Sequence, residues 1–258
     1  MSDFLTVTAA SAGVCVVAML LTAYAARRAG RVSVVDVTWG LALAAVALVS
    51  ALLGTAPDWR RWLLVALVAA WGLRLSWHIF RRAVPSDGQG HGEDPRYTEL
   101  LRSKRGGPLV RVWIPQGAAI WLVSLPVQAS AVAGGGVNLV VGVGVVVWLV
   151  GVTFESVGDA QLAAYKKDPQ RGPVMDRGLW HFTRHPNYFG DACVWWGLWL
   201  ICASAWPGVL TVLSPVAMTY FLVFATGARL LEETMMKRPG YPEYAARTSM
   251  FVPLPPRR

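Results

Sequence analysis

Apolar residues run along this chain in long, nearly unbroken stretches separated by polar links. Seven stretches come close to the roughly 20 residues that a helix needs to cross a bilayer. They are Phe4–Ala26, Val34–Leu53, Trp62–Phe80, Val112–Ala133, Val137–Val157, Tyr188–Ala205 and Val209–Thr226. Pro115, Pro126, Pro207 and Pro215 fall in or beside them and are expected to kink or bound helices. The tail from Arg229 to Arg247 reads as an amphipathic segment lying at the membrane surface. The expected fold is all-α: a single polytopic membrane domain of about seven transmembrane helices, with a C-terminal amphipathic cytosolic helix.

The links differ in charge. Those after the first, third, fifth and seventh stretches hold three, seven, five and six basic residues, which is 21 of the 24 Lys and Arg. The intervening links hold Arg60 and Arg61, and Arg74 lies within a span. By the positive-inside rule this places the N-terminus outside and the C-terminus in the cytosol. Met1-Ser2-Asp3 lacks the basic start of a secretory signal, so the first helix is expected to be a retained anchor. The chain is thus expected in a membrane, a bacterial plasma membrane by the resemblance given below.

Composition agrees. Of 258 residues 55% are hydrophobic and only 15% charged, against about a quarter charged in soluble domains. The net charge of +9 sits in links beside apolar spans and forms no basic stripe with interleaved aromatics, which argues against nucleic acid as a partner. Cys15, Cys193 and Cys202 all lie in apolar runs and read as buried thiols. Trp39, Trp62, Trp113 and Trp180 fall near span ends, where indoles favour the interface.

Three concentrations of polar residues carry the candidate chemistry. The first lies within spans: Asp36 on the second, Arg74 and His78 one turn apart on the third, and Glu155 and Asp159 one turn apart at the end of the fifth. Charges at that depth must pair or face a polar cavity; a structural pair such as Asp36 with Arg74 is the plain alternative to a functional role. The second runs from Lys166 to Asp191 and includes Arg184-His185-Pro186-Asn187-Tyr188-Phe189-Gly190-Asp191 at the mouth of the sixth span. Its Lys and Arg residues suit phosphates. The third is Arg229-Leu230-Leu231-Glu232-Glu233, followed by Tyr241, Tyr244 and Arg247; here a carboxylate could hold ribose hydroxyls, an adenine amine or simply Arg184. His181 and His185 are spaced i, i+4, but Pro186 follows and no third ligand lies at a recognised spacing, so no metal is expected. Hydrolase-elbow, Walker and Rossmann glycine patterns are absent.

Asp36-x-x-Trp39-Gly40, Trp71-Gly72-Leu73-Arg74-Leu75, Glu93-Asp94-x-Arg96-Tyr97, Gly178-Leu179-Trp180, Arg184-His185-Pro186-Asn187-Tyr188, Leu231-Glu232-Glu233 and Phe251-Val252-Pro253 together resemble the membrane steroid 5α-reductase and sterol reductase superfamily. Within it the chain is most similar to the bacterial branch DUF1295, a domain of unknown function. The resemblance implies an NADPH site open to the cytosol and a hydrophobic, lipid-like substrate entering from the bilayer. It implies that residues 4–133 form the substrate side and 137–258 the cofactor side. Asp159, Lys166, Asn187, Tyr188 and Asp191 match the cofactor-contacting set, with Arg184, His185, Arg229, Glu233 and Tyr244 as further candidates. The substrate-polarising Glu and Tyr of steroid reductases correspond to Asp36 and His78, a departure at both positions. The implied activity is reduction of a carbon–carbon double bond in a steroid, isoprenoid or fatty compound. Related Arg-His-Pro and Glu-Glu signatures in isoprenylcysteine and phospholipid methyltransferases give the alternative, an S-adenosylmethionine-dependent lipid methyltransferase. A non-catalytic lipid-binding scaffold is the third reading.

Overall fold

The computed structural model describes residues 2–83, 92–102, 107–225 and 227–257, so the expected end of the last span at Thr226 lies outside the described residues. Eleven α-helices are seen among them: α1 (Ser2–Ala29), α2 (Val35–Leu53), α3 (Asp58–Ala83), α4 (Pro95–Arg102), α5 (Ile114–Val123), α6 (Leu125–Ser130), α7 (Leu139–Lys167), α8 (Pro186–Ala203), α9 (Leu213–Tyr220), α10 (Ala228–Met235) and α11 (Tyr241–Arg247). Among the described residues there is no β-strand, and Thr183 and Ser249 form an isolated bridge. The helices group into two compact units, Met1–Gly136 with Ala205–Thr211, and Val137–Ser204 with Val212–Arg258.

Among the described residues, five helical segments are long and apolar enough to cross a membrane: Ser2–Ala29, Val32–Leu53, Asp58–Ala83, Leu139–Lys167 and Gly208–Met235. Their outer faces are greasy; Leu20 and Leu21 on α1 are each 65% exposed, which suits lipid and not water. The chain is therefore an all-α integral membrane protein. The expected helix over Val112–Ala133 is instead a π-turn at Leu109–Trp113 followed by α5 and α6, broken at Ser124. Pro126 causes the break, because it has no N–H to donate and its ring crowds the preceding turn. The fully buried Gln128 mends it: its amide donates to Ser124 Oγ at 2.7 Å and the Trp121 carbonyl at 3.1 Å, while Thr8 on α1 donates to its oxygen at 2.7 Å.

The helix at the fifth expected span, Val137–Val157, starts at Leu139 and outlasts its apolar run. Asn138 caps α7 by accepting from Val141 N–H at 3.1 Å, and the helix runs on to Lys167. At 1.5 Å per residue its 29 residues measure about 44 Å, well beyond a hydrocarbon core of about 30 Å. It stops at Asp168, whose extended backbone is what a following proline, Pro169, demands. Arg60, expected as a loop charge, is instead in the first turn of α3 and completely buried.

Close approach of backbones holds each unit together. In the first unit α2 crosses α3 at Gly40 and Gly72, where a Cβ on Gly40 would lie 2.0 Å from the Gly72 carbonyl oxygen. Ser76 donates to the Val37 carbonyl at 2.7 Å just beyond that crossing. In the second unit α7 meets α8 at Gly151 and Gly190, and a Cβ on Gly151 would lie 2.6 Å from both Gly190 O and Val194 N. These are backbone atoms and cannot swing aside. Gly151→Ala should therefore lower stability by about 1–3 kcal/mol through overpacking. Gly142→Ala, in the same helix with open space at its Cβ, should be neutral or stabilising by up to about 1 kcal/mol. Thermal unfolding of the two variants in detergent checks the contrast.

Candidate functional site

Two polar clusters stand out, one in each unit. In the second unit the chain enters α8 through Arg184 and His185, with Pro186 in the first helical turn. Arg184 forks onto Glu232 of α10: Nε donates to Oε1 at 3.0 Å and Nη2 pairs with Oε2 at 3.0 Å. Its Nη1 donates to the carbonyls of Ala245 (2.6 Å) and Thr248 (3.0 Å). Glu232 Oε1 also lies 2.9 Å from His185 Nε2 and accepts from Tyr241 Oη at 2.8 Å. The side chains of Arg184, Glu232 and His185 are only 11%, 12% and 7% exposed. A planar guanidinium paired in bidentate fashion with a carboxylate suits so dry a place. Burial, and then the Glu232 carboxylate, push the Tyr241 phenol above its ordinary range, so it stays a donor.

The last residues of the chain close this cluster. Arg184 N–H donates to Ser249 O at 2.9 Å, Thr183 Oγ1 to Phe251 O at 2.8 Å, and Leu254 N–H to Phe182 O at 3.0 Å. The Phe251 ring meets Phe189 edge-on at 5.9 Å. Tyr244 is buried and donates to the Trp180 carbonyl, while Trp180 Nε1 donates to Gly158 O at 3.0 Å. The expected surface tail is thus two short helices, α10 and α11, folded back onto the entry to α8.

Of the expected cofactor residues, the structure joins Asp159 and Asn187 directly: Asn187 Nδ2 of α8 donates to Asp159 Oδ1 of α7 at 3.3 Å. Tyr188 stacks on His185 with centroids 5.4 Å apart and planes 9° off parallel. Asp191 is buried one turn into α8, and Lys166 is exposed near the end of α7. Arg229 lies over the Phe224 ring at 4.7 Å, and Glu233 is exposed. The acid inside the cluster is therefore Glu232 and not Glu233. Helical spacing carries that signal, since Glu232 is one turn from the fully buried Ala228 and Glu233 is not.

The cluster of the first unit surrounds Asp36 in the opening turn of α2. Its Oδ1 accepts from Tyr97 Oη and its Oδ2 from Arg96 Nη2 at 3.1 Å, so its partners include two residues of α4. Arg96 is shared with Asp94 at 2.9 Å, and Glu93 accepts the backbone N–H groups of Val32 and Ser33. The Glu93-Asp94-x-Arg96-Tyr97 string thus has a physical role that its spelling did not disclose: it straps α4 across the start of α2. Burial and the adjoining Asp36 carboxylate push the Tyr97 phenol up. Burial alone would raise Asp94, but the hydrogen bonds and charge of Arg96 outweigh it and hold that carboxyl below its ordinary range. His78 is half-buried on α3, and the Ser76–Val37 bond brings its stretch to the end of α2 that carries Asp36. Among the described residues no group of three His, Cys, Asp or Glu could hold a metal ion.

These features define a polytopic helical membrane protein with a buried, charge-paired cluster and a tyrosine–carboxylate strap. The chain belongs to the family described as "Protein of unknown function (DUF1295)", whose profile matches residues 23–248. A 68-residue stretch is 35% identical to Steroid 5-alpha-reductase DET2 of Arabidopsis thaliana and covers 26% of each protein, so the chain spans about a quarter of the length of that curated relative. No solved structure matches. The two matches support a place in the steroid 5α-reductase-like superfamily.

Glu232→Ala strips Arg184, itself 11% exposed, of its carboxylate and should cost about 3–5 kcal/mol. Glu233→Ala, on the exposed side, should stay within about 0.5 kcal/mol; denaturation of both variants in detergent reads the difference. Because Asp94 is held below the ordinary value, its contribution is complete above pH about 4 and is lost as pH falls through the lowered value. The strap should therefore resist cleavage within residues 93–102 at pH 5 and yield to an acid protease only well below pH 4, whereas Asp94→Asn should yield at both.

Proposed function

We propose that this protein is an NADPH-dependent reductase of a carbon–carbon double bond in a hydrophobic, lipid-like substrate drawn from the bilayer. The observation that carries this reading is the 35% identity to a plant steroid 5-alpha-reductase. In this reading the C-terminal part, 137–258, holds the cofactor and 4–133 the substrate. The N-terminus lies outside and the cytosolic face is the basic one, as the positive-inside count requires.

The residues present fit such a cofactor. The Asn187 amide and the Asp159 carboxylate bond each other, and an amide and a carboxylate are the kinds of group that ribose hydroxyls and a carboxamide hydrogen-bond to. Lys166, seven residues beyond Asp159 on the same face of α7, suits a phosphate. Tyr188 and Asp191 complete the set one turn into α8. Arg184 and His185 act by positioning: their polar groups are engaged with Glu232, and so they set where Asn187 begins α8. Arg229, Glu233 and Tyr244 are outer contributors.

When bound, NADPH supplies a hydride to the electron-poor alkene; the chain supplies everything else. Hydride addition to the β-carbon moves the π electrons onto the conjugated oxygen, which needs a donor in a dry environment. His78 is proposed to donate to that oxygen, with the proton at the α-carbon coming from it or from water. Both oxygens of Asp36 accept hydrogen bonds, so its proposed part is to hold Tyr97 and Arg96 in place and act as donor only in its protonated form.

The methyltransferase reading draws on Glu232-Glu233. With Glu232 committed to Arg184, His185 and Tyr241, that pair offers S-adenosylmethionine one carboxylate fewer. Thermal unfolding of the detergent-purified chain separates the readings. At a hundred times its Kd, NADPH should add about 2.7 kcal/mol and S-adenosylmethionine nothing. Asn187→Ala should remove most of the NADPH gain. Stabilisation by S-adenosylmethionine alone would replace the reductase with the methyltransferase.

A further inference from the structure

Beside the Glu232 cluster, the second unit carries a cavity of about 310 Å³. Its walls are the end of α7 at Tyr165, the loop 168–177, and α11 at Tyr244 and Arg247. Small-molecule sites span ~300–1,000 Å³, so this one takes a nucleoside-sized group and not a whole dinucleotide. The walls are cross-braced. Tyr165 Oη donates to the Gly172 carbonyl, Arg171 Nη1 to the Lys166 carbonyl at 2.5 Å, and Arg247 pairs with Asp176 at 2.7 Å. Gln161 on α7 accepts from Leu179 N–H at 3.0 Å, which anchors the turn that carries Arg177.

Charge in the cavity is unbalanced. Arg171, Arg177 and Arg247 line it against Asp168 and Asp176. Asp176 is taken by Arg247, and Asp168 accepts from the Gln170 N–H of its own loop at 2.8 Å. Among the described residues neither Arg171 nor Arg177 has a carboxylate partner. The Tyr165 ring, with the Arg171 guanidinium 5.8 Å from its centroid, adds a flat aromatic wall. Guanidinium groups and an aromatic face are what a phosphorylated nucleoside binds. Position along the helix agrees: Tyr165 lies six residues past Asp159 on α7, an axial rise of about 9 Å. A separation of that order suits the two nucleoside ends of one dinucleotide.

Resting on the reductase reading, we infer that this cavity receives the phosphorylated adenosine end of NADPH, and that Arg171 and Arg177 bind its 2′-phosphate and so set a preference for NADPH over NADH. The 2′-hydroxyl of NADH brings no charge to either guanidinium.

The test is calorimetric titration of the detergent-purified full chain with adenosine 2′,5′-bisphosphate, adenosine 5′-monophosphate, NADPH and NADH. The wild type should bind the bisphosphate more tightly than the monophosphate. Arg171→Gln with Arg177→Gln should weaken the bisphosphate and NADPH by roughly tenfold to a hundredfold. The same pair should change NADH by less than about twofold. Both residues are exposed, so the ligand-free melting temperature should not move; should the double variant unfold, Arg177→Gln alone carries the test. A variant that keeps wild-type affinity for the bisphosphate overturns the assignment, and the reductase reading survives if NADPH still binds. A wild type that binds the bisphosphate but neither dinucleotide supports the cavity's ligand class and ends the reductase reading. Binding of none of the four removes both.

Discussion

One carboxylate, with its side chain 12% exposed, organises the second unit. Glu232 takes both arms of Arg184, the His185 ring and the Tyr241 hydroxyl, so the start of α8, the body of α10 and the first turn of α11 meet on two oxygens. A charge this dry is tolerable only when fully paired, and removing any partner leaves the others exposed to the desolvation penalty. Arg184 extends the tie to the carbonyls of Ala245 and Thr248. From there the backbone runs directly into the bonds that fix residues 249–254 on Phe182 to Arg184. The positions of Asn187, Tyr188 and Asp191 follow, because they are the first residues of the helix that this pairing orients.

The first unit solves a similar problem with different parts. Asp36 enters the membrane-spanning part of α2 with its charge matched by Arg96 and a phenol from a short helix outside it. Glu93 caps the backbone donors before that helix, and Asp94 steadies Arg96 from the other side. In both units aromatic hydroxyls are kept protonated by burial and by an adjoining carboxylate, Tyr97 beside Asp36 and Tyr241 beside Glu232. Such O–H groups cannot lose their donor role over the physiological range. Apolar spans then pack around these fixed points through glycine crossings, where van der Waals contact between backbones replaces the hydrophobic drive that lipid does not supply.

Much of the architecture was legible in the residues. The long apolar runs, their basic flanks and the polar string from Arg184 to Asp191 mark membrane helices and a chemically loaded mouth without reference to any distant residue. Where the reading departs from the structure, a local competitor explains it. Pro126 outweighed the apolar run over 112–133, and Gln128 repaired the break. α7 outlasted its apolar run because nothing before Pro169 stops a helix. The choice of Glu232 over Glu233 needed the helical register of α10, which two adjacent acids do not reveal.

The sequence by itself determined that this is a helical membrane protein of the steroid 5α-reductase-like kind, since span length, hydropathy and motif spelling are properties of contiguous residues. Only the tertiary structure decided which polar groups meet. Arg184 and Glu232 are 48 positions apart, and Asp36 and Tyr97 are 61 apart. Separations of that size are bridged by helix packing, which no periodicity along the chain encodes. The cavity lined by Tyr165, Arg171, Arg177 and Arg247 has the same origin, because its three loosely spaced cations come together only when α11 folds back beside the end of α7.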